Sequence, residues 1–199
     1  MADKQQDLSP YQADPGVRWM LAWQGGDEAA FERLVEAYSE RLYSLFTRFL
    51  GPVSEREDLV QETFLRVLRA RDAYQPSARF STWLYRIAFN LAVNRSQRVR
   101  PEASLDEGPR SEVLVRDVDA PDPSAGLERE DVVQAVREAI AALPQTQRMA
   151  LVQARYEELS LAEIAAVMGS TEKAIKSLVH RARENLRARL APFLQQVSP

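Results

Sequence analysis

Lys173, Lys176, Ser177, His180, Arg181, Arg183 and Arg187 recur mostly at offsets of three and four along one stretch of the chain. At that spacing they crowd one side of a helix. Ammonium and guanidinium groups neutralise phosphates, and Lys, Arg, Ser and His donors can reach base edges in a DNA major groove. Ile175, Leu178, Val179, Ala182, Leu186 and Leu190 form the opposite, apolar side. One side packs and the other presents cations. Taken alone, the pattern also suits a packing helix with a solvated charged face.

The elements before it favour nucleic acid. Ser160 can cap a short helix, and Glu163 three residues later completes a capping box. Leu161, Ile164, Ala165 and Met168 give that helix an apolar stripe. Gly169 can end it in the left-handed conformation, and Ser170 or Thr171 can cap the basic helix that follows. A capped helix, a glycine turn and a basic second helix together predict a helix-turn-helix that sets its second helix in the major groove.

A second cationic stretch is FSTWLYRIAFNLAVNRSQR. From Arg79 to Arg100 every charged residue is an arginine. Phe80, Trp83, Tyr85 and Phe89 are interleaved with them. Rings that accept unstacked bases, beside arginines that track phosphate, suit a single strand. Asn90 and Asn94 can bond base edges in pairs. Aromatics at helical spacing are more often core, and Phe80 and Trp83 are expected to be at least partly buried. A third feature is Asp58, Gln61, Glu62 and Leu65, at offsets of zero, three, four and seven. They form a polar, acidic stripe with an apolar rim, suited to a basic helix of another chain. On physics alone a plain solvated face explains them better.

The supporting elements read as all-α, in two small helical domains joined by a flexible linker. Residues 1–16 are polar with two prolines and are expected to be disordered. Residues 17–99 form the first domain: a short helix over Val17–Trp23, a long helix capped by Asp27 and ended by Gly51-Pro52, a helix opened by Ser54, and one from Phe80 to about Arg98. In the helix opened by Ser54 the apolar positions are Leu59, Val60, Phe64, Val67 and Leu68. Residues 100–126 hold Pro101, Pro109, Pro121 and Pro123, and their acids far outnumber their arginines. This is an acidic linker, too long for a connection inside a compact domain. Residues 127–192 form the second domain, with Ala191-Pro192 closing the last helix, and 193–199 form a tail.

Composition narrows the classes. The chain has 199 residues, a net charge of −3, no cysteine and one histidine. Disulfides and thiolate metal sites are excluded, and a zinc site or a histidine-based triad is disfavoured. The lack of cysteine suits a reducing cytoplasm. No apolar run reaches the roughly 20 residues of a membrane span, and the first residues lack the apolar core of a secretory signal. The negative total argues against indiscriminate coating of nucleic acid, so the two cationic segments matter by their placement.

In order along the chain, DLVQETFLRVLRA, FSTWLYRIAFNLAVNRSQR, LPQTQRMALVQARYEELSLAEIAAVMG and AIKSLVHRARENLR resemble a bacterial sigma factor of the sigma-70 family. The resemblance is to its extracytoplasmic-function (ECF) group and covers roughly residues 17–98 and 127–190. It implies a sigma-2 domain, a sigma-4 domain and no catalysis or cofactor. It implies that Asp58, Gln61, Glu62 and Leu65 dock on the β′ clamp helices of core RNA polymerase, and that the sigma-4 domain meets the β flap. It implies −10 promoter contacts at Tyr85, Arg86, Asn90 and Asn94, with Arg95 and Arg98 on phosphate. Asn90 falls where relatives begin the loop that pockets a flipped base. The −35 element falls to Lys176, Ser177, His180 and Arg181, with Lys173 and Arg183 on phosphate. An anti-sigma partner follows by family habit. Two departures bear on −35 readout: relatives often carry arginine at Leu178 and glycine at Lys173.

Two other classes compete. A helix-turn-helix regulator acting alone would not need the acid-free aromatic segment. An enzyme would need a phosphate loop, a nucleophile or a ligand cluster, and the sequence offers none of these.

Overall fold

The computed structural model describes residues 11–51, 54–99, 126–157 and 159–197. These are helical, with no strand among them. The order is α1 (Pro15–Gln24), α2 (Glu28–Leu50), α3 (Arg56–Arg69), α4 (Phe80–Val99), α5 (Gly126–Ala141), α6 (Gln145–Tyr156), α7 (Leu161–Met168) and α8 (Glu172–Val197). The expected disorder of residues 1–16 lies outside the described residues as far as 10. Beyond that the helix begins earlier than expected. The carboxylate of Asp14 accepts from the Val17 N–H at 2.9 Å and caps α1 at Pro15. The linker, 100–126, lies outside them up to residue 125.

Helices α1 to α4 wrap around Val17, Met20, Leu34, Leu42, Leu45, Phe46, Phe49 and Phe80, all fully buried. The period read for α2 is the one that packs. Asp27 stands at its N-cap but makes no side-chain cap bond; it pairs instead with Arg33 at 3.7 Å. Ser54 does not open α3, whose N-cap is Glu55. The loop between α3 and α4 is pinned to α1: Gln24 donates to the carbonyls of Arg71 and Tyr74 at 2.5 and 3.1 Å, and the Arg71 guanidinium lies over the Trp23 ring at 4.6 Å. Gly16 lets α1 approach α4, since a Cβ there would meet the Phe80 Cβ at 2.7 Å and the Tyr38 hydroxyl at 2.8 Å.

Helices α5 to α8 enclose Leu143, Met149, Ala150, Val152, Ile164, Ile175 and Ala182. Arg148 is buried among them and donates to the Ala141 carbonyl at 2.9 Å, at the C-terminal end of α5. Burial pushes its pKa down to about 10. The last helix does not close at Pro192; α8 runs through it to Val197. One proline removes one backbone donor, and the long helix carries the chain past it.

The two sets of helices pack on each other. Helix α4 lies against α7, and α2 against α6. Their apolar residues form one continuous buried cluster from Val17 to Ala182.

Candidate nucleic-acid interface

The helix-turn-helix is built as its sequence demands. The Ser160 hydroxyl accepts from the Glu163 N–H at 3.2 Å, and the Glu163 carboxylate accepts from the Ser160 N–H at 2.9 Å. Gly169 adopts φ 62°, ψ 40° and ends α7. The Thr171 hydroxyl accepts from the Ala174 N–H at 3.2 Å, so Thr171 rather than Ser170 caps α8.

Ile175, Val179 and Ala182 bury one face of α8. Lys173, Lys176, Ser177, His180, Arg181 and Arg183 are all exposed. Leu178 is half-buried and packs on the core, so it lies at the edge of that cationic surface. Arg187 is exposed as well and pairs with Glu184 at 2.6 Å.

On α4 the exposed residues Arg86, Asn90 and Asn94 follow at offsets of four and share a face. Arg95 is turned toward α3 and paired with Glu55. Arg98 lies within α4, with its side chain outside the described residues. The rings of this helix are not free. Phe80 and Tyr85 are fully buried, and Trp83 and Phe89 are half-buried. Trp83 packs edge-on to Tyr74 with ring centroids 4.9 Å apart. The reading of these aromatics as core therefore describes this arrangement better than a stacking platform does.

Tyr85 has a specific partner. Its hydroxyl donates to the Glu157 carboxylate at 2.5 Å. Burial, and then the adjacent Glu157 charge, push the phenol far above its ordinary pKa, so it remains a donor. Arg41 reaches the same carboxylate at 3.4 Å. Nearby, Glu163 accepts from Thr82 at 3.4 Å and pairs with Arg79 at 3.8 Å. Burial tends to raise the Glu163 pKa, but the Ser160 bonds, Arg79 and Thr82 together hold it below the usual carboxylate value. Sequence reading missed Arg41 and Glu157 and took Glu163 only as a cap. The one signal for them was a tyrosine in an apolar stretch, which needs an acceptor once buried.

Asp58, Gln61 and Leu65 are exposed on α3, and Glu62 is half-buried beside them. Glu62 pairs with Arg66 at 3.0 Å and Arg69 at 3.7 Å. Leu68, expected to be apolar core, is 41% exposed next to Leu65 at 43%. It widens the apolar rim of this face, because it follows Leu65 by three residues. An open groove lined by Ser39, Glu40, Tyr43, Glu57, Val60 and Gln61 runs alongside, between α2 and α3.

Residues 34–101 match the family description Sigma-70 region 2, and residues 133–186 match Sigma-70, region 4. The chain is 36% identical over 173 residues to the ECF RNA polymerase sigma factor SigW of Bacillus subtilis, covering 83% of this chain and 91% of that protein. It is 33% identical over 180 residues to the ECF RNA polymerase sigma-E factor of Escherichia coli K12, covering 87% and 93%. Among solved structures it is similar to CnrH in complex with the cytosolic domain of CnrY, with a TM-score of 0.65 and 25% identity over 93% of this chain and all of that one. The fold is also that of RpoE of Bartonella quintana, solved with the anti-sigma factor NepR, with a TM-score of 0.62 and 23% identity over 81% and 96%.

Proposed function

The chain belongs to the sigma-70 family of RNA polymerase sigma factors, in its ECF group, and from that premise we propose how its residues divide the work of promoter-specific transcription initiation. Residues 17–99 act as the sigma-2 domain and 127–192 as the sigma-4 domain, with 100–126 as the linker between them. Residues 1–16 and 193–199 flank these units. Sigma factors are not enzymes, and the chain's work is binding.

The observation that carries the reading is α8. It sets six exposed donors, from Lys173 to Arg183, on a helix held from behind by Ile175, Val179 and Ala182. Lys176, Ser177, His180 and Arg181 read the −35 duplex in the major groove, and Lys173 and Arg183 anchor phosphates. On α4, Arg86, Asn90 and Asn94 meet the unwound −10 strand, with Arg98 and, on exchanging Glu55 for phosphate, Arg95 on its backbone. Tyr85 joins them once Glu157 has withdrawn. Unstacking costs a few kcal/mol per base and is offset by such contacts.

Asp58, Gln61, Glu62 and Leu65 dock on the β′ clamp helices of core polymerase, and the sigma-4 domain meets the β flap. An anti-sigma factor is the natural antagonist, as in the co-crystal structure of RpoE with the anti-sigma factor NepR. No helix among the described residues is long and apolar enough to cross a membrane. The proposed place of action is the cytoplasm, with the polymerase.

The test is run-off transcription with purified core polymerase, with and without the chain, on a pool of promoters from its own genome, paired with a core-binding assay. Transcripts that require the chain and vanish with Asn90→Ala and Lys176→Ala support the assignment. A chain that neither binds core nor directs initiation, yet shifts duplex DNA alone, would be a stand-alone regulator.

A further inference from the structure

The exposed side of α8 carries charge of nearly one sign. From Glu172 to Arg183 the exposed cations are Lys173, Lys176, Arg181 and Arg183, and the single acid is Glu172, the first residue of the helix. The next acid, Glu184, is neutralised by Arg187 at 2.6 Å. Glu172 has no hydrogen-bond or ion-pair partner among the described residues. A free carboxylate on a surface that receives phosphates repels the duplex it must approach. It weakens binding unless it makes a contact that a cation cannot.

An acid in the first turn of a helix is favoured by the helix dipole. That term needs no particular face, and the first turn already has its cap. The Thr171 hydroxyl accepts from the Ala174 N–H at 3.2 Å, and the Thr171 carbonyl accepts from the Ile175 N–H at 3.0 Å. The dipole therefore leaves the facing of Glu172 unexplained. Glu172, Lys176 and His180 are all exposed and follow at offsets of four, so they share one row. The N-terminal residues of a recognition helix are the ones that reach base edges, and Glu172 opens this row.

Its chemistry differs from that of every neighbour. Lysine and arginine only donate. Ser177 and His180 donate or accept according to hydroxyl rotor and ring tautomer, so neither fixes the sense of a contact. Donors read guanine O6 and N7 and thymine O4, whereas the amino groups of cytosine and adenine call for an acceptor. Adenine sets its N6 donor beside the N7 acceptor, which suits an amide. Cytosine N4 suits a carboxylate.

We propose that Glu172 is a specificity-determining residue of the −35 reader, accepting from the N4 amino group of a cytosine in the major groove. This rests on the reading of α8 as the −35 helix. The residue selects partly by exclusion. Opposite guanine, which presents only acceptors at this edge, the carboxylate is desolvated and left unpaired. The helix binds less tightly than a wholly cationic one and discriminates better.

The test uses holoenzyme formed from the full chain and purified core polymerase, titrated against a duplex library randomised across the −35 region. The full chain is expected to prefer cytosine at one position by about tenfold. Glu172→Ala is expected to erase that preference, to keep those at other positions, and to bind the library as a whole more tightly. Glu172→Gln is expected to move the preference to adenine, whose N6 and N7 an amide reads as a pair. One helical turn advances about 5.4 Å and successive base pairs are about 3.4 Å apart. The affected position should therefore lie within about two base pairs of the one relaxed by Lys176→Ala.

A cytosine preference that survives in both variants would overturn the proposal, as would a changed position far from that of Lys176. So would a uniform gain in affinity with every base preference intact, which would leave Glu172 to the helix dipole alone. Thermal melts of the two variants that match the parent exclude misfolding as the cause of any change. Holoenzyme with no base preference anywhere in the −35 region would strike the reading of α8, and the proposal with it. Preferences that exist but include no cytosine would strike the proposal alone.

Discussion

The hydroxyl of Tyr85, on α4, donates to the carboxylate of Glu157, just past the end of α6, across 2.5 Å. Seventy-two residues of chain separate the two. The bond joins a buried phenol to a buried carboxylate, and Arg41 is the carboxylate's second partner. Tyr85→Phe keeps the ring packing and removes only the donor. Leaving a buried carboxylate short of one hydrogen bond costs about 1–3 kcal/mol. Urea unfolding of Tyr85→Phe should show a lower midpoint with little change in slope. An unchanged midpoint would mean that the bond contributes nothing to the folded chain.

Acid should loosen the contact between α4 and α7. The Glu163 carboxyl sits below its ordinary pKa in the folded chain. A depressed carboxyl contributes stability that is full above its unfolded value, about 4.3, and is lost as pH falls through the folded value. The groups facing it are Arg79 and Thr82 from the α4 side and Ser160 from its own cap. Glu163 is half-buried at the rim of the contact, where solvent screening keeps the effect small. Thermal melts between pH 5 and pH 3 should show a downward component that Glu163→Gln abolishes. Equal pH dependence in both proteins would show that other acids carry it.

Salt separates the two kinds of donor on α8. Lys173→Ala and Arg183→Ala, assigned to phosphate, should weaken promoter binding by holoenzyme across all −35 sequences. Each should reduce the slope of log K against log salt by about 1. Lys176→Ala and Arg181→Ala, assigned to base edges, should cost about 1–3 kcal/mol and relax the preference at individual positions. Binding titrations at several salt concentrations, on a −35 library, read both effects. A uniform loss from Lys176→Ala would move it to the phosphate class.

Two glycines should fail for opposite reasons. Gly169 has φ 62° and nothing within 4 Å of an added Cβ. Gly169→Val is therefore penalised by backbone conformation alone, by about 1–2 kcal/mol, and Gly169→Asn much less. At Gly16 an added Cβ lies 2.7 Å from the Phe80 Cβ. Gly16→Ala should cost about 1–3 kcal/mol by overpacking. Tyr38→Phe in the same chain should recover part of that loss by removing the hydroxyl 2.8 Å from the added Cβ, whereas no neighbour's truncation should rescue Gly169→Val. Denaturant midpoints of the single and double variants test both.

Local signals were the legible ones. The Ser160–Glu163 box, the Gly169 turn and the two faces of α8 are written in residues within a few positions of one another. The structure places them as read. The core side of α2 followed from its helical period in the same way. Tertiary choices were not legible. Leu68 fits the apolar period of α3, yet it faces outward because the neighbouring helices cover Leu59, Phe64 and Val67 instead. The mixed aromatic and arginine pattern of α4 suits a strand platform and a packed core alike. Only the distant Glu157, which no spacing rule connects to Tyr85, decides how that face is occupied here.

The single buried cluster running from Val17 to Ala182 bears on inheritance. Proteins made of separable units can exchange those units freely between cousins. Here the first half brings Arg41, Arg79 and Tyr85 to a joint, and the second brings Glu157 and Glu163. A hybrid spliced from two relatives between α4 and α5 would bring together surfaces selected for different mates. The halves can differ in the promoter each reads, but they must be handed down as a matched pair.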